Sequence, residues 1–199
     1  MNKLVMLTAS IVLGLCFAHS QRCDEIAATA EMSRAKSMHD VTSASKRAGH
    51  DYRAGFVLAF RSFQLQPRSK DAAERLLRMI PTDDTQQKVL MMRGDSLCDA
   101  ESVADMRAMA QVNENFPREL ARAVLLAPNF LASYVRFSIV AVQDPHSEYA
   151  VEMKKVCQKA HPSFVRAVNQ LSEKERRVLT TQVMDANSCR VISVPEGEK

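Results

Sequence analysis

Ser96 and His161 are the pair in this sequence whose types best suit shared chemistry. A serine hydroxyl can act as nucleophile when an imidazole takes its proton. Ser96 follows Gly94-Asp95 and precedes Leu97, and His161 is followed by Pro162-Ser163. Cysteine offers a second chemistry. Cys23, Cys98, Cys157 and Cys189 all lie beyond the first apolar stretch, and four cysteines allow three disulfide pairings. All three remain open; the expectation carried forward is Cys23 with Cys98 and Cys157 with Cys189. Cys157 and His161 are four residues apart and could instead share a helix face and a metal ion. Recognisable zinc sites need closely spaced ligand pairs, and no second pair accompanies this one. No metal or cofactor is expected. His39, His50 and His146 adjoin Asp40, Asp51 and Pro145. Sequence neighbours do not face one another on a helix, so these histidines read as surface or capping residues.

Gly94-Asp95-Ser96-Leu97 spells the nucleophile block of the GDSL esterase/lipase family, and His161-Pro162-Ser163 resembles the end of its histidine block. The resemblance implies a serine esterase with Ser96 as nucleophile and His161 as base. Val89-Leu90-Met91-Met92 would then be the strand leading into the nucleophile. The sequence departs from that family at several points. Gln158 stands where the histidine block should carry aspartate, and the blocks supplying oxyanion donors have no counterpart. The family's parallel α/β sheet also needs strands, which the spacing of apolar residues does not supply. A helix C-terminus at Gly94 followed by an N-cap at Ser96, with Asp99 three residues on, accounts for the same letters.

The elements that would position these residues begin with export. Lys3 precedes an apolar stretch from Leu4 to Ala18, and Ala18 and Ser20 are small. This order matches a secretory signal peptide over residues 1–20. Leu15 before Cys16 is too large for lipidation of that cysteine. The expected location is therefore periplasmic or secreted. Residues 21–190 are expected to form a single helical domain, and 191–199 a flexible tail. The formal charge of +4 is dispersed among acidic neighbours. Nucleic-acid binding needs a basic block, and none is present. No later apolar run is long enough to span a bilayer. Glycine is scarce, which excludes the usual phosphate-binding loops.

Prolines at 67, 81, 117, 128, 145 and 162 are expected to separate helices. Residues 24–48 predict a loosely packed helix. Phe56, Phe60 and Phe63 recur at helical spacing in the next segment. Ser69 should cap a helix burying Ala73, Leu76, Leu77 and Ile80, and Thr82 the one carrying Val89 and Leu90. Val103, Met106 and Ala110 form the predicted inward stripe of the helix after Ser96, and Pro117 should start another. Phe130, Tyr134, Phe137 and Ala141 share one side of the segment Asn129–Gln143. Ser147 should cap a helix with Ala150, Met153, Val156 and Cys157 inward. Ser163 should cap one with Val165, Val168 and Leu171 inward. Ser172 and Glu175 form a capping box before Val178, Leu179 and Val183.

These helices predict an all-α protein, either a bundle or a short stack of antiparallel helical hairpins. Residues 52–67 resemble the second helix of a tetratricopeptide repeat, with Tyr52, Gly55, Ala59, Ser62, Leu65 and Pro67 in that pattern's places. The resemblance covers this half-repeat and implies a protein-binding scaffold. The leading functional expectation is a non-enzymatic module that binds another protein, as an inhibitor, immunity-type binder or scaffold. A GDSL-like esterase and a carrier of apolar ligands between helices are the alternatives.

Overall fold

The computed structural model describes residues 20–91, 98–142, 146–183 and Cys189. The signal segment up to residue 19, Gly94, Ser96, Pro145 and the tail 191–199 lie outside the described residues. The fold is all-α, with no strand among the described residues. Helix α1 covers residues 20–34. It is followed by α2 (Met38–Ser45), α3 (Tyr52–Leu65), α4 (Lys70–Arg78), α5 (Asp84–Met91) and α6 (Asp99–Leu126). A 3-10 turn (Pro128–Phe130) leads into α7 (Leu131–Ala141), α8 (Glu148–Lys159), α9 (His161–Asn169) and α10 (Glu173–Val178). A π-helical turn (Leu179–Val183) continues α10. The chain divides into two units, residues 1–61 with 85–112, and 62–84 with 113–199.

In the first unit the polar, alanine-rich start is tightly packed rather than loose. Ala28, Met32 and Val41 are fully buried, because small side chains let neighbouring backbones approach closely. Ser37 splits the segment by accepting the Asp40 N–H and capping α2. Phe56 and Phe60 stack along α3 with ring centroids 6.2 Å apart. Arg61 Nε donates to the Ala35 carbonyl at 2.6 Å, and Cys23 is joined to Cys98 with Cα atoms 5.5 Å apart. Helix α5 begins at Asp84, two residues beyond Thr82, so Thr82 does not stand at its cap position.

In the second unit Ser69 caps α4 through the Ala72 N–H, and Ala73, Leu76 and Leu77 are buried as their spacing predicts. Ser147 caps α8 over buried Ala150, Met153, Val156 and Cys157. Phe137 lies edge-on to Phe116 and Tyr149, with centroids at 5.8 and 5.7 Å. Cys157 is bonded to Cys189, Cα to Cα 6.3 Å. Both halves of the Ser172–Glu175 capping box form. Arg136 fixes the start of α10 by pairing with Glu175 at 3.4 Å and donating to the Gln170 carbonyl at 2.9 Å.

Three further expectations are corrected. Pro117 does not start a helix; it lies inside the 28-residue α6. A mid-helix proline costs about 3 kcal/mol. Burial of Ala108, Met109 and Val112 before it, and of Leu120, Ala121 and Val124 after it, outweighs that cost. Ser163 does not cap α9. The helix starts two residues earlier at His161, with Pro162 presetting the first turn, and Ser163 Oγ instead accepts from Arg166 Nη2 at 2.9 Å. The third concerns which face of α6 is inward.

Candidate functional site

The first half of α6 turns to the core a different side from the predicted stripe Val103, Met106 and Ala110. Ser102, Asp105, Ala108, Met109 and Val112 are buried, whereas Val103 and Met106 are 41% and 45% exposed and Ala110 is also exposed. An ion pair lies on that buried side. Arg53 of α3 is 2% exposed and Asp105 is 1% exposed. Their side chains meet through two contacts, Arg53 Nη2 with Asp105 Oδ2, and Arg53 Nε with Asp105 Oδ1 at 3.3 Å. Arg53 Nη1 also donates to the Val89 and Leu90 carbonyls at 2.8 and 3.1 Å, at the end of α5.

The fork of the guanidinium suits this task, since it offers rigidly arranged donors to a carboxylate and to backbone acceptors at once. Leaving either charge buried without the other would be strongly unfavourable. Asp105 is thereby committed to the core, and Val103 and Met106, at positions two before and one after it, are rotated outward by helix geometry.

The resulting outward face borders an open groove of about 280 Å³ beside the end of α1, lined by Arg34, Ala100, Val103, Ala104, Arg107 and Ala108, with Gln111 at one end. Both arginines are exposed. Arg34 Nε donates to the Ala30 carbonyl at 3.1 Å. Neither guanidinium makes an ion pair among the described residues. Glu31, close to Arg34 in sequence, is instead paired with Arg47. Apolar lining beside two exposed guanidinium groups can hold an apolar side chain while binding a carboxylate next to it.

The residues singled out for chemistry are placed differently. Ser96 lies outside the described residues. His161 is exposed at the first position of α9. Cys157 is fully buried and held by Cys189, so no thiolate is left to join His161 around a metal. The structure brings together Cys23 with Cys98 and Cys157 with Cys189. Burial raises the Tyr134 and Tyr149 phenols above their usual range. Sequence reasoning missed Arg53, Asp105, Arg34 and Arg107. A lone aspartate among Ser102, Ala104 and Ala108 was the available signal for a polar partner across the core.

No single described helix is long and apolar enough to cross a membrane. The chain matches no protein-family model, no curated protein and no solved structure.

Proposed function

We propose that this chain is an exported, non-enzymatic protein-interaction module that uses the outward face of α6. The observation carrying this reading is the contiguous stripe Val103, Met106 and Ala110 on solvent, kept there by a core that has taken Asp105 instead. Scattered exposed apolar residues are ordinary on a protein surface, but an apolar stripe with a charged rim is the usual composition of a contact site. The two disulfides favour an oxidising compartment, in keeping with the signal-peptide pattern of residues 1–20. The esterase alternative requires a sheet beneath its nucleophile, and the described helices offer none.

The test is capture from the native exported fraction by the tagged chain and by a Val103→Ser/Met106→Ser variant. A stoichiometric protein lost with the variant supports the reading. Capture of lipid alone, or of a protein held equally well by the variant, contradicts it. Ser96-dependent hydrolysis of a p-nitrophenyl ester would replace it with the esterase.

A further inference from the structure

We propose that the groove between α1 and α6 receives an acidic amphipathic helix of a partner protein, its apolar stripe on Val103 and Ala104 and its carboxylates at Arg34 and Arg107. This rests on the protein-contact reading above and names the partner's chemistry. Three features of the groove select that occupant.

First, its charge is of one sign among the described residues. Arg34 on α1 and Arg107 on α6 both line it, and the acid nearest to Arg34 along α1, Glu31, is already engaged by Arg47. A guanidinium at a contact rim favours a carboxylate, which it can grip with two parallel hydrogen bonds. Second, its apolar lining is made of small side chains, Ala100, Ala104 and Ala108 with Val103 among them. Packed helices approach to roughly 8–10 Å, and small residues at the contact give the shorter distances. Third, Met106, three residues on from Val103 and next to it on the helix surface, is 45% exposed. Methionine fits irregular apolar partners because its unbranched chain adapts to their shape. A rod with one apolar stripe and carboxylates on its flanks meets all three conditions. An apolar small molecule would bring no carboxylate to either arginine.

The probe is a pair of synthetic amphipathic helical peptides with one shared Leu/Ala face, one flanked by Glu and the other by Lys. Each is titrated into the full disulfide-bonded chain and followed by fluorescence anisotropy. The Glu peptide is expected to bind saturably, about tenfold or more tighter than the Lys peptide, and to weaken as salt is raised. In R34E/R107E the preference should reverse. Both arginines are exposed, so the variant should keep its helical circular dichroism; R107Q, with one charge removed, should bind the Glu peptide with intermediate affinity.

An absence of saturable Glu-peptide binding overturns the proposal, as does equal binding by R34E/R107E. So does occupation of this face by a second copy of the chain, read as Arg107-dependent self-association, or by phosphatidylglycerol vesicles in place of the peptide. A stoichiometric native partner whose capture survives R34E/R107E but not V103S/M106S would remove this inference and leave the protein-contact reading standing.

Discussion

Helix α8 in the second unit and the first half of α6 in the first unit carry similar alternations of apolar and charged residues, yet only α8 presents the face its pattern predicts. In α8 the inward positions Ala150, Met153, Val156 and Cys157 are apolar, and the polar side chain buried with them, Glu152, reaches Lys155 one turn away at 2.6 Å. That ion pair stays within the helix and leaves its rotation free to follow the apolar stripe. In α6 the polar partner is on another helix. Asp105 faces Arg53 to be satisfied, and Ala108, Met109 and Val112 are buried on the same side of the helix. The burial of two methionine- or valine-sized side chains stabilises by roughly 1.5–3 kcal/mol each. An unpaired buried charge costs about 3–5 kcal/mol. The cross-helix ion pair therefore competes on equal terms with hydrophobic patterning.

The largest expected effect sharpens that contrast. Asp105→Ala leaves Arg53 buried without its carboxylate and should lower unfolding free energy by about 4 kcal/mol in urea titration. Arg53→Met/Asp105→Leu should recover most of the loss, because both charges go together. A double variant no better than the single would break the account of α6. Met153→Ala in α8 should cost about 3 kcal/mol through the cavity it leaves, without the recovery seen for a paired replacement.

A smaller effect lies at the start of α10. Ser172→Ala should destabilise by about 1 kcal/mol, since it removes the hydroxyl that accepts the Glu175 N–H. The Ser172 backbone N–H, donating to Glu175, is the main cause holding that carboxyl below its usual value, with help from the Ser172 hydroxyl and Arg136. A depressed carboxyl stabilises the fold above its unfolded pKa and loses that contribution as pH falls through its folded one. Acid titration of the Glu175→Gln variant should accordingly show a shallower loss of stability below the ordinary carboxylate range than the natural chain. Smallest of all, Val103→Ser/Met106→Ser should change stability by no more than about 0.5 kcal/mol, the expectation for surface positions, while abolishing partner capture. A loss near that of Met153→Ala would place this stripe in the core and sink the candidate site.

Much of the architecture was legible in the chain. Ser69, Ser147 and Ser172 cap the helices they were expected to cap, because N-cap chemistry is local. The buried apolar residues of α3, α4 and α8 follow from their spacing. Pro117 misled because a proline's local cost can be exceeded by burial on both sides of it. The candidate site was hidden for a different reason. Arg53 and Asp105 are 52 residues apart in sequence, and nothing local to either shows that they meet. Once Asp105 is committed inward, Val103 and Met106 must lie outside, and the groove beside Arg34 and Arg107 follows.

Met106 and Met109 allow the orientation of α6 to be read directly. They are 45% and 3% exposed, and peroxide converts exposed methionine thioethers to sulfoxides in preference to buried ones. Brief oxidation of the native, disulfide-bonded chain followed by peptide mass spectrometry should modify Met106 well before Met109, with Met32 and Met153 also protected. Oxidation of Met109 as early as Met106, or earlier, would contradict the inward placement of Asp105 and the contact surface that depends on it.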